Sequence, residues 1–121
     1  MARSTPDPAA PLNEVRLRGR ISALEEATLP SGDPVVRFRV VVARTGPRRT
    51  GGAVVDVLDC SALPASARRV LLRAGVDAVV EVVGVLQRRW SRAGGSRVVV
   101  EVRSAARVAA AGTRRRATMA G

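Results

Sequence analysis

Apolar residues recur at every second position through most of this chain. In the first such run Val15, Leu17, Gly19 and Ile21 share one side, while Arg16, Arg18 and Arg20 share the other. A period of two puts the two sets on opposite faces of an extended strand. The stretch Glu25–Pro34 contains Leu29-Pro30-Ser31-Gly32-Asp33-Pro34, which breaks any regular element and turns the chain. A second strand is predicted over Val35–Arg44, with Val36, Phe38, Val40 and Val42 inward and Arg37, Arg39 and Val41 outward. Thr45–Gly52, with Arg48 and Arg49, reads as a mobile polar loop. A third strand, Ala53–Ala62, sets Val54, Leu58, Cys60 and Ala62 against Val57, Asp59, Ser61 and the following Leu63; Asp56 is the residue out of pattern.

The period changes once. Over Pro64–Ala74, Ala67, Val70, Leu71 and Ala74 fall at helical spacing, proline suits the first turn, and Gly75 stands where a C-terminal cap belongs. Period two then returns over Val79–Val102, where two valine-rich runs flank a basic segment. Val80, Val82 and Gly84 alternate with Val79, Glu81 and Val83; on the return, Val98, Val100 and Val102 alternate with Arg97, Val99, Glu101 and Arg103. Gly94-Gly95 supplies the positive-φ positions a reversal needs, so this is a hairpin. Arg88, Arg89, Trp90, Arg92 and Arg97 gather at its tip.

The predicted fold class is therefore all-β with one short helix. Three strands, a helix and two strands form the order of an OB-fold, a five-stranded Greek-key barrel that binds oligonucleotides across strands two and three and the loops joining strands one to two and four to five. Here the link between strands four and five is the long hairpin. With 121 residues there is room for one such domain, placed at 12–105. Residues 1–11, with three prolines, are expected to be a flexible lead-in, and 106–121, with Arg114-Arg115-Arg116, a disordered basic tail.

Charge narrows the partners. The net charge is +11, from 21 basic residues against 10 acidic, and every basic residue is arginine. A polyanionic partner fits that surplus. At the hairpin tip, cations around the sole tryptophan offer positive charge for phosphates and a flat apolar surface for unpaired bases. The competing reading of Trp90 is a packing residue at the hairpin root; that of the tip arginines is a solvated charge run guarding a strand edge. Arg16, Arg18 and Arg20 fit either nucleic-acid contact or a subunit interface.

Other function classes are excluded or disfavoured. One cysteine makes no internal disulfide, and without histidine it anchors no common zinc site, so neither metal nor cofactor is expected. Cys60 reads as a small core residue. Asp56 and Asp59, three apart on a strand, point to opposite faces, and the usual bases and nucleophile activators (histidine, lysine, tyrosine) are missing, so the expectation is no enzyme. No apolar run reaches the roughly 18 residues of a membrane span, and the N-terminus lacks a hydrophobic signal segment. A cytoplasmic, nucleoid-associated protein is expected.

Four segments resemble the bacterial single-stranded DNA-binding (SSB) family: Asn13-Glu14-Val15-Arg16-Leu17-Arg18-Gly19-Arg20-Ile21, Leu29-Pro30-Ser31-Gly32, Val55-Asp56-Val57-Leu58-Asp59-Cys60-Ser61-Ala62 and Gly84-Val85-Leu86-Gln87-Arg88-Arg89-Trp90. Their order and spacing carry the resemblance. It implies a homotetramer that binds single-stranded DNA in replication, repair or recombination by stacking bases within a basic surface. Trp90 matches a stacking aromatic of the family, whereas Thr28, Val57 and Leu63 stand where aromatics are usual. The chain also ends basic, without the family's acidic stretch and terminal Pro-Phe, which implies a divergent or accessory paralogue that does not recruit partners by that tip. The expected DNA-binding residues are Trp90, Arg88, Arg89, Arg92, Arg97, Arg37, Arg39 and Val57. The depleted aromatics sustain an alternative, an OB-fold assembly subunit of a DNA-processing complex, of primosome accessory type. A third reading has RNA or duplex bound through the arginine tail alone.

Overall fold

A computed structural model of the chain describes residues 7–46 and 54–109; the expectations for the first residues of the lead-in, for Arg48, Arg49 and Ala53 in the polar loop and third strand, and for most of the basic tail fall outside them. The elements are β1 (Val15–Thr28), β2 (Pro34–Ala43), β3 (Val55–Ala62), α1 (Ala65–Ala74), β4 (Val79–Trp90) and β5 (Ser96–Arg107). The strands close into a barrel in the order β1-β2-β3-β5-β4, the five-stranded OB-fold.

Closure depends on β1 serving two neighbours. Its first half, Val15 to Arg20, pairs antiparallel with β4, and its second half, Arg20 to Thr28, with β2. Where the strand changes partner the backbones come close: a methyl group on Gly19 would collide with the Val41 carbonyl oxygen. A bulge between Ile21 and Ala23 then shifts the register by one residue. The sequence pattern ends this strand too early. Ser22 is the inserted residue, so inward positions pass from Ile21 to Leu24, the period of two is interrupted, and the strand nevertheless runs on to Thr28. At the other end of the chain β5 reaches Arg107, so Ala106 and Arg107, assigned to the tail by composition, are strand residues.

The interior is filled by Ile21, Val36, Phe38, Val40, Cys60, Ala62, Val80, Val82, Val100 and Val102, with Ala67 and Leu71 of α1 packed against them. Burial of each valine, isoleucine, leucine and phenylalanine among them stabilises by about 1.5–3 kcal/mol. The helix ends at Gly75, whose φ of 76° takes the chain out of the helix while its N–H donates to the Leu71 carbonyl at 2.9 Å.

Asp56, which interrupts the apolar pattern of β3, is held by Arg44 at 2.9 Å, an ion pair tying the start of β3 to the chain leaving β2. Glu81 on β4 is shared by Arg16 and Arg18 of β1, each at 2.7 Å, and Arg20 lies 3.3 Å from Asp77, so the outward arginines of β1 are matched by acids on the same surface. Hydrogen bonds from Arg44, and from Arg18 and Arg16, hold the Asp56 and Glu81 carboxyls below the ordinary carboxylate range. Because these pKa values are depressed on folding, the pairs contribute above the ordinary carboxylate range, and that contribution is lost as pH falls through the lowered values.

The β4–β5 hairpin is laddered from Val80 opposite Arg107 to Trp90 opposite Ser96. Its loop, 91–95, closes through Gly94 and Gly95, with φ of 90° and 85°. Asn13 fastens the hairpin to the chain entering β1: its Nδ2 donates to the Leu86 carbonyl at 2.8 Å and its Oδ1 accepts from the Leu86 N–H at 2.9 Å.

Candidate nucleic-acid interface

A groove of about 490 Å³ crosses the outer surface of the sheet, bounded by the second half of β1, by β2, β3 and the hairpin. Its walls carry Arg37, Arg39, Arg89 and Arg97, and Val35, Leu63 and Val99 line it as well. Val35 and Val99 are buried although they share the outward side of their strands with arginines.

Two acids organise these cations. Asp59 receives Arg39 at 3.0 Å and lies 3.8 Å from Arg97, so one carboxylate links β2 to β5 across β3. Glu25 sits opposite Arg37 in the β1–β2 ladder, 4.0 Å away. Arg89 reaches from β4 to the nearly buried Ser61, its Nη2 donating to Oγ at 3.3 Å. With four arginines and two carboxylates, the groove keeps a positive excess. The cations are positioned rather than free, which lowers the entropy lost when an anion enters but sets Asp59 in competition with it. Asp59→Asn is therefore expected to tighten binding of an anionic strand several-fold and to steepen its salt dependence, checked by oligonucleotide titration at two ionic strengths. Weaker binding by this variant would mean that Asp59 serves the site mainly by orienting Arg39 and Arg97.

Trp90 is not in this groove. In the hairpin ladder Arg89 faces Arg97 and Gln87 faces Val99, while Trp90 faces Ser96, Arg88 faces Val98 and Leu86 faces Val100. Successive residues of a strand point to opposite faces. Arg89, Arg97 and Val99 thus belong to the groove side, whereas Trp90 and Arg88 share the opposite side with Ser96 and Val98. On that side the Arg88 guanidinium lies 5.9 Å from the tryptophan ring centroid and its Nη1 donates to Ser96 Oγ at 2.7 Å. Trp90 remains 76% exposed.

The residues expected at the site thus form two groups, on the two faces of the sheet. Arg37, Arg39, Arg89 and Arg97 meet in the groove, and Trp90 and Arg88 meet behind it. Arg92 stands exposed in the loop between them. Val57, 56% exposed, points the same way as Asp59 from further back along β3 and does not line the groove. Sequence reasoning passed over Glu25, Ser61, Val35 and Val99; only Ser61 carried a signal, as a polar residue beside Asp59 on the outward side of β3.

Cys60 lies behind the groove, buried, and burial pushes its thiol up to about 12. It stays protonated at neutral pH and is no nucleophile. Among the described residues no group of acids and cysteine has the arrangement of a metal site, and no helix is long and apolar enough to cross a membrane.

No protein-family model matches the chain, and neither does any curated protein. Solved structures do match. A Plasmodium falciparum SSB in complex with single-stranded DNA superposes with a TM-score of 0.69 at 16% identity, covering 85% of this chain and all of that one (100%). The mitochondrial single-stranded DNA-binding protein Rim1 of S. cerevisiae gives 0.64 at 14%, covering 82% and 96%. The N-terminal domain of PriB from Thermoanaerobacter tencongensis, a dimer, gives 0.61 at 21%, covering 81% and 98%. At these identities the likeness is one of fold.

Proposed function

We propose that this chain is a non-catalytic binder of single-stranded DNA, of SSB type, with little base preference. The observation that carries the reading is the groove in which Arg37, Arg39, Arg89 and Arg97 converge across β2, β5 and the hairpin. Phosphates of a strand lying there meet cations held in place, and bases leaving the groove over the hairpin edge meet Trp90. Neither contact distinguishes one base from another. That two of the three similar folds are named as single-stranded DNA-binding proteins, one of them with single-stranded DNA bound, supports the same reading. We further propose a homotetramer, acting inside the cell at the nucleoid in replication, repair or recombination.

The test is a titration with oligothymidine at several salt concentrations. Each neutralised phosphate contributes about −0.7 to the slope of log affinity against log salt. Engagement of the groove arginines gives a slope near −2 to −3 on that basis, and a flat dependence excludes the groove as a phosphate site. The matching duplex and RNA, titrated alongside, report the preference.

A second reading is favoured by Thr28, Val57 and Leu63 standing where stacking aromatics are usual, and by the acids already paired with groove arginines. In it the domain is an assembly subunit of a DNA-processing complex that binds DNA weakly. The fold likeness to a PriB domain suits this reading equally. Light-scattering mass separates a homotetramer from smaller species at micromolar concentration, and a one-chain mass counts against both readings as assembled forms.

A further inference from the structure

A second concentration of positive charge lies around α1. Arg69 and Arg73, one helical turn apart, and Arg107 at the end of β5 surround a cavity of about 370 Å³ that is also lined by Ser66, Val70 and Ala74. Among the described residues no carboxylate lies within ion-pair distance of these three arginines, in contrast to those of β1 and to Arg37, Arg39 and Arg97 of the groove. Arg73, in the last turn of α1, has a local reason to be basic, since it faces the negative end of the helix dipole. Arg69 has none: mid-helix and one turn from a like charge, it adds a repulsion to the helix.

The patch is joined to the groove along a single strand. β5 carries Arg97 in the groove wall, Arg103 at the bulge and Arg107 at the cavity; Glu101 lies between the first two, and beyond the bulge Arg107 is paired with Val80, so the line of cations turns from the groove face toward the α1 end of the barrel. Arg103 is the residue inserted in the β4–β5 bulge: Val83 pairs with Ser104 and Gly84 with Val102, which leaves Arg103 without an opposite number and exposed. A bulge redirects the side chain it inserts. No acid among the described residues lies within ion-pair distance of Arg103 either.

We propose that Arg103, Arg107, Arg69 and Arg73 continue the phosphate path, so that a strand longer than the groove runs along β5 and ends over α1. The occupant is a nucleic-acid backbone. Several guanidiniums without carboxylate partners suit a polyanion, and no exposed aromatic accompanies them, so the contact takes phosphates and leaves bases unstacked. This inference rests on the groove reading above.

The experiment compares the full chain with an Arg69→Gln/Arg73→Gln/Arg107→Gln variant and with Arg103→Gln. The probes are an oligothymidine of about eight nucleotides, within the span one OB-fold covers, and one long enough to leave the groove. For the long probe the triple variant is expected to lose about 2 from the magnitude of the salt slope, and Arg103→Gln about 0.7. The short probe should bind all three proteins alike. Unchanged binding of the long probe by both variants overturns the proposal, as does an equal loss on both probes. Loss of oligoglutamate binding in the triple variant with oligothymidine binding intact would overturn it too, assigning the cavity to an acidic peptide. Wild-type binding of the short probe reports on the groove, so a failure there is read separately.

Discussion

Replacing Gly84 with valine is expected to lower the melting temperature by about 10 °C or more. At this position β4 and β5 approach so closely that a Cβ would overlap the Glu101 carbonyl oxygen and lie 2.9 Å from the Val102 Cα. Both obstacles are backbone within the ladder, so no flexible side chain can swing aside. Overpacking a filled site costs about 1–3 kcal/mol and occasionally more. In a domain this size each 1 kcal/mol shifts the midpoint by about 4–8 °C. A shift below about 4 °C would show that the ladder opens there at a cost under about 1 kcal/mol. The same collision bears on the charge pattern, because the bulge that inserts Arg103 begins at Gly84. Val85→Ala, one residue on and only partly buried, serves as the comparison and should cost far less.

The elements that kept a strict period were legible in the sequence. Val36, Phe38 and Val40 are buried as their alternation with Arg37 and Arg39 requires, and α1 buries Ala67 and Leu71 from the predicted helical stripe. Where an inserted residue shifted the parity, the pattern misled. Ser22 conceals the second half of β1, and that half supplies Glu25 to the groove. Asp56 looked like a defect and is an ion-pair partner, a role visible only once Arg44 has been brought back beside it by the β2–β3 pairing. Asp59 could be recognised as outward-facing, but its position between Arg39 and Arg97 depends on β5 crossing to lie parallel beside β3, a contact between residues far apart in the chain. The arginines of the hairpin were all identifiable from their crowding. Their division into two faces was not, because it needs both strands to run on to Trp90 and from Ser96, through residues that read as the hairpin tip.

That division decides what the tryptophan should do. Trp90 is the sole tryptophan in a chain without tyrosine, so intrinsic emission reports on this one side chain. Arg88 sits beside the ring, yet 76% of the residue is open to solvent, leaving room for a base to stack. Oligothymidine is expected to quench the emission, and Trp90→Ala to weaken binding by about 1–3 kcal/mol, whereas Trp90→Phe keeps a π-face and most of the affinity. Melting temperature should be unchanged, since an exposed ring contributes little to packing. The loss should appear as an offset at every salt concentration, because the removed contact is uncharged. Since Trp90 and Arg39 lie on different faces and share no partner, the losses from Trp90→Ala and Arg39→Gln should add within about 0.5 kcal/mol if one strand passes over the hairpin edge and touches both. If the strand occupies the groove alone, Arg39→Gln weakens binding while Trp90→Ala leaves both affinity and emission untouched. The strand would then be held by phosphate contacts, and the exposed ring on the far face would be open to a protein partner instead.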